Sequence, residues 1–158
     1  MQTKTVPMKA LAEVVELQLN NGGKATLTIT GSSMMPMLVS RRDSVVLISP
    51  GEEKRGDVIL FRRTDGKYVF HRIIDVTEEG YICCGDNQAV REPVTKDQVI
   101  AVMEGFTRNG KYHDRNDAGY RLYQTVWVEL FFLRRYYIWV RRRLGYMRRR
   151  ALMKKTDK

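Results

Sequence analysis

The sequence predicts a mainly β body flanked by a short N-terminal helix and a C-terminal basic amphipathic helix. Three observations carry that expectation. Residues 45–48, 58–61, 68–74, 80–84 and 99–103 are short runs rich in β-branched and aromatic side chains, parted by turn signals such as Ser49-Pro50-Gly51, Asp65-Gly66 and Glu78-Glu79-Gly80. No helical period interrupts them, which argues against a parallel sheet with crossover helices and for one sheet or a partly open barrel. Apolar residues at helical spacing lie outside this region, near each end of the chain.

Pro7 opens the first helix, and Leu11, Val14, Val15 and Leu19 supply its apolar face before Asn20-Asn21-Gly22-Gly23 ends it. Residues 25–30 alternate apolar side chains with threonine, the pattern of a half-buried strand. Residues 108–119 are polar, contain Gly, Asp and Asn, and read as a linker. Beyond Tyr120, Val126, Leu130, Leu133, Tyr137, Val140, Leu144, Met147 and Ala151 fall three and four apart, a helical stripe. Arg134, Arg135, residues 141–143 and residues 148–150 place arginine on the other faces. The chain thus divides into an N-terminal helix (1–23), a β domain (24–108), a linker (109–119) and a helical tail (120–158).

The 158 residues suffice for one domain with a real core. The net charge of +10 is unevenly placed: residues 1–120 hold 16 basic and 16 acidic side chains, residues 121–158 hold 12 and 2. The cationic tail suits its own body, a peripheral membrane surface or a partner protein. Its aromatics, Trp127, Phe131, Phe132, Tyr136, Tyr137 and Trp139, favour those over nucleic acid, for which no recognition motif is present. Cys83 and Cys84 are adjacent, which excludes a disulfide framework and offers no metal spacing, so no cofactor is expected. The N-terminus lacks a compact apolar segment, and the tail's longest uncharged run, 122–128, is far below the ~20 residues a spanning helix needs. The expected location is the cytosol, at most peripheral at the inner membrane surface.

Chemistry points to two places. Gly31-Ser32-Ser33-Met34-Met35-Pro36 sets serine on a turn directly after a strand, and His71 lies 38 residues beyond Ser33 on an otherwise apolar strand face with Val69 and Ile73. A serine hydroxyl needs a base to become a nucleophile and nearby N–H groups to hold an oxyanion. Asp86, in the turn Gly85-Asp86-Asn87, returns near His71 if residues 68–74 and 80–84 form a hairpin. Read alone, each element is more often a plain turn or a packed side chain.

Together they resemble a known family. Ser33-Met34-Met35-Pro36 is similar to the Ser-Met-x-Pro box of type I signal peptidases. Residues 54–61 resemble that family's Gly-Asp-hydrophobic strand, 68–74 the strand carrying its general base, and 85–87 its Gly-Asp-Asn box. Bacterial members and LexA-type self-cleaving repressors use a lysine base, whereas the endoplasmic-reticulum and archaeal type uses histidine, as at His71. The resemblance implies a LexA/signal-peptidase-like β fold and a serine endopeptidase that removes a leader or signal segment. It implies Ser33 as nucleophile, His71 as base, and Asp86 or Glu92 as the supporting acid. Two departures stand out. Gly31 occupies the position where some members lend a hydroxyl to the oxyanion hole, leaving the Ser33 N–H with Ser32 as a candidate helper. The N-terminal membrane anchor usual in the family is also not seen. Two other readings remain: a self-cleaving LexA-like regulator, and an inactive relative kept as a binding module.

Overall fold

The computed structural model describes residues 8–134, 136–140 and 143–144. Helix α1 (Met8–Asn20) precedes strands β1 (Ala25–Thr28), β2 (Ser44–Ile48), β3 (Val58–Arg62), β4 (Tyr68–Thr77), β5 (Gly80–Cys84), β6 (Glu92–Thr95), β7 (Val99–Arg108) and β8 (Lys111–Asp114), and helix α2 (Ala118–Glu129) follows. The strands form one antiparallel sheet in the order β1-β2-β7-β3-β4-β5-β6, with β8 paired to β7, curled into a half-barrel. The fold is therefore mainly β, with a short helix at the N-terminal side. The expected runs are present, β4 and β7 being longer than the sequence pattern suggests.

The sheet buries a cluster on each face. Val45, Leu47, Val58, Leu60, Ala101 and Met103 meet α1 through Val15 and Leu19; Ile59, Phe61, Ile73, Tyr81, Cys83 and Val102 pack on the other side. Strands buried on both faces read as continuous apolar runs, which explains why 58–61 shows no alternation. Helix α1 seats Ala12, Val15 and Leu19, while Val14, expected on that face, is exposed. Pro7 and the Leu11 side chain lie outside the described residues, as do Arg135, residues 141–142 and everything beyond 144. No helix among the described residues is long and apolar enough to cross a membrane.

Two expectations are corrected. The supposed linker 109–119 holds β8, which turns back on β7 through Asn109-Gly110, both at positive φ, and pairs from Arg108↔Lys111 to Gly105↔Asp114. The tail, moreover, buries Arg134, expected on a face away from the stripe, and the stripe, for which packing on its own body was one of three alternatives, is left largely outside. Val126, Leu130, Leu133, Tyr137 and Leu144 are exposed; Tyr120, Val128, Arg134 and Ile138 are buried instead, one residue out of step with the stripe over 134 and 138. The reason is polar. The inner face must satisfy Asp86.

Asp86 and Arg72 are both fully buried. Arg72 Nε and Nη2 donate to the two carboxylate oxygens at 2.9 and 2.8 Å, and Nη1 donates to the Gly56 carbonyl at 2.7 Å. From α2, the Tyr123 hydroxyl donates to Asp86 Oδ2 at 3.0 Å and Trp127 Nε1 to the Asp86 carbonyl at 3.0 Å. The Arg72 guanidinium also lies over the Tyr120 and Tyr123 rings. Burial alone would discourage the charged form of Arg72, but the Asp86 carboxylate outweighs it and holds the guanidinium charged. Removing one member of such a pair leaves an uncompensated buried charge. Asp86→Ala is therefore expected to cost about 3–5 kcal/mol in urea unfolding; a loss near that of an exposed acid would show the pair is not what ties α2 to the sheet.

Candidate active site

The Ser33 loop is a closed excursion between β1 and β2. Its neck is tied by the Ile29 N–H to the Asp43 carbonyl at 2.9 Å and the Arg41 N–H to the Ile29 carbonyl at 2.8 Å. Asp43, fully buried, accepts from the Val39 N–H and from Arg42 Nε and Nη2. Burial pushes its carboxyl up, but Arg42 and the Val39 N–H more than offset this and leave it lowered. Met34, Met37 and Leu38 anchor the loop in the core, which leaves Ser33 half-buried and Gly31 and Ser32 at the surface. Gly31 has φ +89°, a conformation that favours glycine, and a Cβ there would meet no atom within 4 Å. Where a hydroxyl was considered, this loop offers open space.

His71 is carried on β4 beside β5. The pairings Ile73↔Cys83 and Cys83↔Glu92 put Ile73, Cys83 and Glu92 on one face, and His71, two residues before Ile73, shares it. Glu92 Oε1 meets His71 Nδ1 at 2.6 Å, and Glu92 Oε2 accepts from Arg63 Nε at 2.6 Å. An ionised carboxylate only accepts, so the neutral ring carries its proton on Nδ1 and keeps the Nε2 lone pair. Burial lowers the His71 pKa, and Glu92 opposes that shift without reversing it. For Glu92, burial raises the value, but Arg63 and His71 prevail and the carboxyl is lowered. The result is a neutral imidazole at neutral pH backed by a charged acid.

The structure brings Ser33 and His71 to one cavity of about 240 Å³, lined also by Gly31, Met34, Arg63, Phe70 and Gln88. Ser33 and His71 line it without a hydrogen bond between their side chains. Gly85 shows how closely the parts approach: a Cβ there would stand 2.8 Å from the Ser33 carbonyl oxygen and 2.9 Å from His71 Nε2. The Asn87 N–H donates to the same Ser33 carbonyl at 2.7 Å, and Asn87 Nδ2 donates to the Ser32 carbonyl at 3.2 Å. The Gly85-Asp86-Asn87 turn is thus the clamp on the serine loop.

Asp86, the first of the two acids considered for His71, is engaged by Arg72, Tyr123 and Trp127 and makes no hydrogen bond to the imidazole; Glu92 makes it. Arg63, Arg72, Tyr123 and Trp127 carry no site signal in the sequence pattern, and Gly85 carries one only as part of the Gly85-Asp86-Asn87 turn. Arg72 stands out as a charge inside an apolar strand, but its partner follows only from register. Cys83 and Cys84 are poor alternative nucleophiles, because burial pushes their thiols up to about 12 and about 11. Among the described residues no three His, Cys, Asp or Glu side chains converge on a metal-sized site.

Gly85→Ala forces the Ser33 carbonyl or the His71 ring to move, so any activity should fall about a hundredfold while the fold persists; unchanged turnover would show the contact is not critical. Glu92→Gln removes the charge behind Nδ1 and is expected to lower kcat by about 10²–10⁴-fold with KM little changed. No protein-family model matches the chain, and neither a curated protein nor a solved structure is significantly similar to it.

Proposed function

We propose that the chain is a serine endopeptidase of the signal-peptidase type, which trims a leader or signal segment from a peptide or protein. The observation that carries this reading is the convergence of Ser33 and His71 on one cavity, with Glu92 holding Nδ1. Ser33 Oγ attacks the scissile carbonyl carbon as Nε2 takes its proton, and Glu92 stabilises the imidazolium. The tetrahedral intermediate collapses when Nε2 returns the proton to the leaving amine. Water, deprotonated by Nε2, then releases the acyl group from Ser33. The Ser33 N–H donates to no described residue and is the backbone donor at hand for the oxyanion.

The resemblance to signal peptidases implies a substrate with small side chains before the cleaved bond. A larger cleft of about 880 Å³, lined by Glu16, Leu19, Arg62 and Gln98, shares Arg63 and Tyr68 with the Ser33–His71 cavity and offers room for extended peptide. The cytosol, where free cysteines are ordinary, suits the chain. The open Ser33–His71 pair favours a second reading, an inactive relative that binds peptide without cutting it.

A fluorophosphonate probe separates the two. It should acylate the wild-type serine and not Ser33→Ala; equal labelling of both, or none of either, would sink the peptidase. The pH profile gives a second check. Burial lowers the His71 pKa, so the free base persists to lower pH than an exposed imidazole allows. Activity should be complete at neutral pH and fall only as pH drops through a value below ~6.5; an acid limb above that value would contradict His71 as the base.

A further inference from the structure

The described helical residues from 118 to 140 have two faces with different work. The inner face holds Asp86 through Tyr123 and Trp127, and Arg134 Nη2 reaches Cys84 Sγ at 3.0 Å. Helical backbone continues after Leu130 over 131–134 and 136–140. The outer surface is left bare: Leu122, Val126, Leu130, Leu133 and Tyr137 are exposed, and Phe132, Tyr136 and Trp139 are 69, 67 and 60% exposed at spacings of four and three. Large apolar side chains at this density on a surface mark an interaction site rather than ordinary scatter.

Charge decides which occupant fits. The whole net charge of +10 resides in residues 121–158. Glu129, the single acid from 118 to 156, is neutralised by Arg55 at 2.7 Å, so nothing on the segment repels an anion. Arg121 and Arg143 are exposed on the same stretch of chain. An apolar protein groove would need no such excess of cation, and a second copy of this chain would bring a second cationic tail against the first. Aromatic and leucine side chains flanked by arginine match a bilayer interface, where rings sit at headgroup depth and guanidinium groups meet phosphate. We infer that the outer face of residues 118–144 binds the surface of an anionic phospholipid bilayer, independently of whether the Ser33 site cuts peptide.

Flotation of the full chain with vesicles tests this. The chain should float with phosphatidylcholine vesicles containing about 30% phosphatidylglycerol, should stay behind with phosphatidylcholine alone, and should be released by about 0.5 M salt. Trp139 emission should shift to the blue on binding. The triple variant Phe132→Ser, Tyr136→Ser, Trp139→Ser should bind at least about tenfold more weakly, with far-UV circular dichroism and probe labelling of Ser33 unchanged. Failure to float, binding that the triple variant retains, or a concentration-dependent dimer without flotation overturns the inference; the last assigns the surface to a second copy.

Discussion

The buried Arg72–Asp86 pair is the constraint on which the rest of the molecule depends. It joins β4 to the turn after β5, reaches the loop before β3 through Gly56, and gives α2 its place through Tyr123 and Trp127. Desolvating two charges costs several kcal/mol per ion, so the pair persists only because nearly every donor and lone pair is used. That need explains the composition of α2's inner face. Tyr123 and Trp127 turn inward because the sheet presents them with a carboxylate and a carbonyl, not with an apolar surface.

The consequence reaches Ser33. The turn that Arg72 fixes is the one whose Asn87 N–H holds the Ser33 carbonyl and whose Gly85 lets Nε2 approach. Two carboxylates near one histidine therefore have separate duties. Asp86, wholly enclosed and facing Arg72, sets the position of the backbone. Glu92, at the start of the edge strand β6 and shared with Arg63, sets the tautomer of the ring. Separate environments assign separate roles to like groups, and here the division follows from which face of the sheet each acid occupies.

Much of the fold was legible. The strand runs are short, β-rich and punctuated by Gly, Pro and Asp, and such local signals survive without tertiary context. Strand β6 was not legible, because it is four residues long and contains a proline, which strand patterns disfavour; an edge strand tolerates proline where its missing N–H faces away from the ladder. Strand β8 was hidden by its polarity, since Lys111, His113 and Asp114 give it no apolar run and its place comes from pairing with β7. The tail's inner face was missed for a different reason. Periodicity treats arginine as solvated, yet Arg134 is buried against Phe131 and Cys84.

What the sequence determined by itself was local: a β body, a serine on a Gly-Pro turn, a histidine on an apolar strand, and a tail carrying all the net charge. What only the tertiary structure decided was partnership. Asp86 and Glu92 are both near in sequence to the strand that carries His71, and no spacing rule distinguishes them. Strand register does so, because side chains alternate faces with a period of two and a change of one residue sends a carboxylate to the opposite side of the sheet. That alternation joins Glu92 to His71, leaves Asp86 to Arg72, and thereby turns a serine loop and a histidine strand into one site.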